Sequence, residues 1–370
     1  MSVLTKFRAL CHGLIEWSYR VGELRIEWVK IIDPRRKAIW KQVELKKEEQ
    51  NKIDSFYKEN YGKTVPYYWH RLYQGFTGTF NEQYLPEYIF SSQLERNWNP
   101  ECYAQALADK NLLPLLAQGI DGVRTVKVYL SRIRGIYEAD GLFRTAEQAA
   151  ELLCDAGEVV IKPTVDSDSG NGVRFLKMKN GIDAYTGECA QTIFAYYDGD
   201  FNVQECLHCH KVLTEIYSSS VNTFRVVTYI WNGKVCHMPI IMRVGQGGNR
   251  VDNAHAGGMF VSVSDDGILG KRAYTEFRQE YAFHPETNLV FDGYCIPQVP
   301  QIIEASYCLH RRMPQLKALS WDLTLGEDGS VVLIEVNTMG QAVWVCQMAS
   351  GKPAFGENTA EVLRSLKKVK

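Results

Sequence analysis

At 370 residues, with 45% hydrophobic and 23% charged side chains, the chain is long enough for two or three domains and too apolar to stay disordered. Its 42 Lys and Arg against 43 Asp and Glu leave a net charge of −1, which gives nucleic acid no electrostatic footprint. Lys6, Arg8, His12 and Glu16 interrupt the start before an apolar core develops, and the longest charge-free run, residues 336–351, carries Asn337, Gln341, Gln347 and Ser350. Neither a secretion signal nor an integral membrane segment is read, and ten scattered Cys point to reduced thiols in a cytoplasmic protein.

Up to about Leu113 the pattern is helical and rich in aromatics. Phe7, Leu10, Cys11, Leu14 and Ile15 recur at steps of three and four, as an amphipathic helix requires. Residues 1–60 hold 13 Lys and Arg against 9 Asp and Glu, a mild excess that reads as solvated helix faces rather than a membrane patch. Residues 41–61 mix both signs densely and read as an exposed helix. Trp40, Tyr57, Tyr61, Tyr67, Tyr68 and Trp69 could stack a sugar or a base, but aromatics more often fill cores.

From Val123 strands and helices alternate. Val126, Val128 and Leu130 alternate as a strand does, and Thr145 with Gln148 forms a capping box for a helix reaching about Asp155. Residues 158–162 make a short buried strand; residues 224–231 and 235–243 are strand-like. Residues 320–325 and 330–336 flank a turn at 326–329, a strong hairpin signal. Strands and helices without a regular parallel repeat predict an α+β fold.

Four constellations carry chemistry. Lys162 ends a strand and is followed by a loop with Ser167, Ser169, Gly170 and Gly172, small residues that let backbone N–H groups approach an anion. The spacing is neither Walker A nor Rossmann, and a plain surface turn explains the glycines equally well. Asp322, Glu335 and Asn337 fall on one face of the predicted hairpin, a hard-oxygen set suited to Mg²⁺ shared with phosphate, or an ordinary solvent-facing polar edge. Arg243, Arg250, Asn253 and His255 lie among glycines in a turn-rich stretch, with Arg225 on a neighbouring strand; the set suits a phosphate or carboxylate, or a solvated loop. Cys206-Leu-His-Cys209-His210 fits a c-type haem motif, but no secretion signal accompanies it, and zinc lacks a second Cys/His pair.

In this order the features resemble the ATP-grasp superfamily, and within it the sugar-transfer-associated ATP-grasp family. The resemblance runs from about Phe76 to Asn337 and rests on Asp109-Lys110-Asn111, Ile161-Lys162-Pro163, Ser220-Val-Asn-Thr-Phe-Arg225, Val251-Asp252-Asn253 with Gly257-Gly258, His284-Pro285 and Trp321-Asp322. It implies a mainly helical region at 1–113, an N-terminal ATP-grasp subdomain at 114–207 with a flexible phosphate loop, and a C-terminal subdomain at 208–370 with the metal site. Lys110 and Lys162 would meet ATP phosphates or adenine, Ser167, Ser169, Gly170 and Gly172 would close over the triphosphate, and Gln204, Glu205 and Leu207 would form the adenine hinge. Arg225, Arg243, Arg250, Asn253 and His255 would face the γ-phosphate and acyl acceptor. Asp322, Glu335 and Asn337 would hold one or two Mg²⁺, or Mn²⁺.

The implied chemistry is carboxylate–amine ligation through an acyl phosphate, its substrates a small-molecule acid and amine, sugar-linked where the family's surface-polysaccharide context applies. The helical first third departs from amino-acid ligases that begin with an α/β substrate domain, so the substrate is not transferred. A phosphotransferase acting on a hydroxyl is the main alternative, and a non-catalytic nucleotide-binding protein and a haem carrier are the others.

Overall fold

A computed structural model describes residues 3–165, 171–249, 252 and 257–369. Four helices open the chain: α1 (Val3–Ile32), α2 (Pro34–Lys41), α3 (Lys47–Asn60) and α4 (Tyr68–Thr77). Asp33 caps α2 by accepting from the Arg35 N–H, with Pro34 at the first helical position, where its missing N–H costs nothing. The charge-dense stretch becomes helical only from Lys47. A π-helical stretch, Phe90–Glu95, leads into short turns and the first strand.

Sixteen strands follow: β1 (Val123–Thr125), β2 (Val128–Ile133), β3 (Ile136–Ala139), β4 (Leu142–Arg144), β5 (Gly157–Pro163), β6 (Arg174–Lys179), β7 (Ile182–Asp183) and β8 (Phe201–Glu205), then β9 (Thr223–Trp231), β10 (Lys234–His237), β11 (Ile240–Val244), β12 (Met259–Val263), β13 (Leu269–Tyr274), β14 (Glu280–Tyr281), β15 (Ala318–Leu325) and β16 (Val331–Asn337). Among the described residues they form two sheets. The larger runs β1-β16-β15-β9-β11-β12-β13-β14, with β10 beside β9; the smaller runs β4-β3-β2-β8-β5-β6-β7. Two sequence expectations change. The strand expected over 235–243 is split into β10 and β11, with Pro239, which cannot donate to a ladder, at the break. β1, inside the 114–207 segment, pairs in parallel with β16 and so belongs to the larger sheet.

Strand alternation divides the larger sheet's faces. Phe224, Val226, Met242, Trp321 and Leu323 pack against Ile302 and Leu309 of the helix Val299–His310. Val227, Tyr229, Ile241 and Ala318 point the other way, onto a core of Trp40, Tyr57, Trp69, Tyr73 and Trp98 from the helical region. Trp40, Tyr57, Tyr61 and Trp69 are thus core, with Tyr67 and Tyr68 half-buried at its edge. Gln347 fastens this region to the C-terminal part: its side chain accepts from the Leu85 N–H at 2.8 Å and donates to the Leu85 carbonyl at 3.0 Å. The smaller sheet packs Leu130, Val159, Ile161 and Val203 under the helices Ala146–Leu152 and Ala190–Ala195. The expected capping box is present, Thr145 and Gln148 each accepting from the other's N–H. No helix among the described residues is long and apolar enough to cross a membrane.

Candidate functional site

β15 lies between β9 and β16, and its register sets Asp322 opposite both Arg225 and Glu335, with Ser320 opposite Asn337. Arg243 on β11 pairs with Thr223 on β9. Alternation therefore brings Thr223, Arg225, Arg243, Asp322, Glu335 and Asn337 to one face. Past this point Leu323 pairs with Leu333, so Ile334 is an extra residue, a bulge of the kind that re-aims side chains beside sites. The helical region covers the other end of the same face and leaves this end open.

The Asp322 carboxylate, 1% exposed, accepts from Arg225 Nε at 3.0 Å and Nη2 at 2.9 Å, and pairs with Arg243 Nη2 at 3.0 Å. Burial alone would raise its pKa, but the two guanidiniums outweigh burial and hold it below the ordinary Asp value. Thr223 Oγ1 accepts from Arg243 Nε at 3.0 Å and donates to Asp252 Oδ2 at 2.5 Å. Burial pushes Asp252 up, with Arg243 opposing. Across the cavity Lys110 Nζ pairs with Glu335 Oε1 at 2.9 Å, while its backbone N–H donates to the Thr164 carbonyl just after β5.

The smaller sheet contributes differently. On β5 and β8, Lys162 is opposite Asn202 and Val160 opposite Gln204. Burial pushes Lys162 down to about 8, the charge of Lys110 adding to the effect and Glu335 opposing it. The buried Oε1 of Gln204, Oδ1 of Asn202 and Oγ1 of Thr164 have no hydrogen-bond partner among the described residues. Glu205 accepts from Arg124 Nη1 at 2.9 Å and from the Lys127 N–H at 3.0 Å, so its carboxylate braces the joint between the sheets.

Lys110, Lys162, Gln204, Glu205 and Leu207 line one cavity of about 1150 Å³ between the sheets with Arg225, Arg243, Asp322, Glu335 and Asn337, while Asn202 and Thr164 lie behind its wall. That volume exceeds a typical single-ligand pocket and accommodates two substrates. Ser167, Ser169, Gly170, Arg250, Asn253 and His255 lie outside the described residues. Gly172 is described, with φ of +74°, and a Cβ there would meet the Pro163 ring at 2.8 Å. The Cys/His motif has structural contacts instead: His210 Nδ1 accepts from the Val212 N–H to cap the turn Lys211–Thr214, and Cys209 Sγ is 3.8 Å from Thr324 Oγ1. Among the described residues no group of three His, Cys, Asp or Glu is arranged for a metal.

Sequence reasoning left several cavity residues without a role. Thr223 and Asp252 stood within quoted motifs, and strand pairing with Arg243 would have found Thr223. Phe175, Glu276 and Trp344 carried no motif. Glu276 at the far end pairs with Arg36 of α2, whose guanidinium lies 4.9 Å from the Trp344 ring.

The Asp322, Glu335 and Asn337 donors fit a hard divalent ion that arrives with phosphate. Asp322 Oδ2 is shared by two guanidiniums, Glu335 pairs with Lys110 through Oε1, and the buried Asn337 Nδ2, without a partner among the described residues, leaves an amide for a ligand to complete. Lys110, Lys162, Arg225 and Arg243 stand among these oxygen donors, so the same part of the cavity suits a cation that is carried by a polyanion.

The two gripping sheets, the phosphate-suited cations and the oxygen donors define an ATP-grasp enzyme. The sequence pattern of the sugar-transfer associated ATP-grasp family matches residues 89–362, beyond the Asn337 limit read from sequence, and the chain belongs to that family. No curated protein matches the chain. Among solved structures it is similar to biotin carboxylase from Campylobacter jejuni (14% identity, 73% of this chain and 48% of that one, TM-score 0.42). It is similar to the D-Ala:D-Ser ligase VanG from Enterococcus faecalis (15% identity, 72% and 61%, TM-score 0.39). It is also similar to an L-amino acid ligase from Bacillus licheniformis (13% identity, 70% and 48%, TM-score 0.37). The chain thus spans between 48% and 61% of the length of these structures.

Proposed function

We propose that this chain is an ATP-dependent carboxylate–amine ligase acting on small molecules in the cytoplasm, the acid or amine being sugar-linked and destined for surface polysaccharide. The carrying observation is the convergence of four cations with Asp322, Glu335 and Asn337 on one cavity large enough for two substrates. In this reading segments 114–207 and 208–370 grip ATP, with Gln204, Glu205 and Leu207 beside adenine and Lys110 and Lys162 on the phosphates. Gly172 belongs to the loop that covers them.

The substrate carboxylate attacks the γ-phosphorus, giving an acyl phosphate and ADP. The amine then attacks the acyl carbon, and phosphate leaves as the amine loses its proton. Arg225 and Arg243, held by Asp322, neutralise the charge that spreads over the transferred phosphoryl oxygens. Asp322, Glu335 and Asn337 would hold Mg²⁺ (one or two ions, or Mn²⁺), which supplies further neutralisation when bound. Low-dielectric walls at Val160, Phe175 and Ile241 strengthen each interaction and keep water from the acyl phosphate.

The test incubates the chain with ATP, Mg²⁺, hydroxylamine and a panel of amino acids and uronic acids, and measures ADP with hydroxamate. ADP with hydroxamate is the expected result. ADP with a phosphorylated acceptor and no hydroxamate would replace the ligase reading with a phosphotransferase.

A further inference from the structure

α1 has two unlike faces. Its inner face packs on the body: Glu16 pairs with Arg96 at 2.9 Å, Tyr19 lies under the Arg96 guanidinium at 3.8 Å, and Glu27 is buried against Lys30. The opposite face carries Phe7, Leu10, Leu14, Trp17, Val21 and Leu24 at alternating steps of three and four, each at least 42% exposed. Trp28 continues the row, its edge meeting Tyr68, while Ile15, Ile26 and Val29 are exposed outside it. At about 100° per residue these exposed apolar residues spread over roughly 200°, with Arg25 inside the spread, where its aliphatic stem can carry the charge back to headgroup level.

The charges are sorted as well. Glu16, Glu23 and Glu27 are turned inward or half-covered, and among the described side chains of α1 the exposed charges are Arg20 and Arg25. We infer that α1 lies in the plane of an anionic lipid bilayer, its apolar arc in the headgroup–acyl boundary and Arg20 and Arg25 on anionic headgroups. An interfacial helix has this wide apolar arc, with Trp at the boundary and cations as its exposed charge. The arc belongs to a helix that does not meet the requirement for crossing a membrane. A second copy fits less well. A two-helix seam buries only the three-four row, leaves Ile15, Ile26 and Val29 in water, and in parallel pairing sets Arg20 against the other copy's Arg25.

The inference stands independently of the ligase reading. It replaces the solvated-face expectation for this helix: what sequence charge counting missed is that the acids are used internally. The test is co-sedimentation of the full chain with vesicles of phosphatidylcholine alone and of an equimolar mixture with phosphatidylglycerol. The wild type is expected on the anionic vesicles, more weakly at high salt. Leu14→Glu with Trp17→Glu should abolish sedimentation, and Arg20→Glu with Arg25→Glu should reduce it by about tenfold or more. Both variants should keep the wild-type circular dichroism and ATP affinity, since these side chains face solvent. Wild-type failure to sediment, or unchanged sedimentation of the Leu14/Trp17 variant, overturns the inference. A wild-type dimer in light scattering that Leu14→Glu dissociates, without vesicle binding, assigns the face to a second copy instead.

Discussion

The two sheets meet the same cavity in opposite states. On the larger sheet the charges are already matched: Asp322 is clasped by Arg225 and Arg243, and Arg243 is tied through Thr223 to Asp252. On the smaller sheet Lys162 is buried with no ion-pair partner among the described residues, and Gln204 buries an oxygen without a partner among them. The first half is preorganised, with its desolvation cost met in folding. The second leaves a buried cation and a buried amide oxygen available to a polyanionic, hydrogen-bonding ligand.

Substitutions on the two sides should therefore change stability in opposite directions. Asp322→Asn strips the counter-charge from two guanidiniums and should cost about 3–5 kcal/mol in urea unfolding, as well as turnover. A cost under about 1 kcal/mol would end the distinction. Glu335→Gln is the cleaner functional probe, because Glu335 is only partly buried: about a 100-fold loss of ATP turnover is expected with unchanged circular dichroism, and near-wild-type turnover would remove the metal assignment.

Lys162→Met should do the reverse of Asp322→Asn, stabilising the ligand-free protein by about 2 kcal/mol at neutral pH while weakening ATP binding about tenfold. The sign follows from burial, which holds the folded-state pKa at about 8, below the ordinary lysine value of 10.5. The cost of charging Lys162 is full below about 8 and fades as pH rises toward 10.5. Only the charged form attracts phosphate, so wild-type ATP affinity should fall as pH rises through 8, and isothermal titration of Lys162→Met should show that dependence lost. The smallest effect is expected at Gln204→Leu, with stability unchanged within about 0.5 kcal/mol and ATP affinity lowered about fivefold. Destabilisation beyond about 1 kcal/mol would mean its oxygen already serves the fold.

The pairing of Asp322 with Glu335 was legible because alternation and a tight turn leave a hairpin little freedom of register. The bulge at Ile334 was not, since no Gly or Pro marks it. Nor was the clasp on Asp322, because strand patterns give faces and not which strand lies beside which. Amphipathicity at the start of the chain was equally clear, but the side that would be buried was not. That depended on Arg96, far along the sequence, offering Glu16 a partner. Glu276 and Trp344 became visible only once the fold set both on the cavity lining with Arg36 of the helical region behind them.

The Leu85–Gln347 clasp joins residues 262 positions apart, and the aromatic core around it needs Trp344, Phe355 and Leu363 as much as Tyr57 and Tyr73. As the chain leaves the ribosome, its helices emerge long before the segment that completes their packing, so their apolar faces wait in water through most of synthesis. Residues 31–98 thus complete this core only once residues 344–363 have been made.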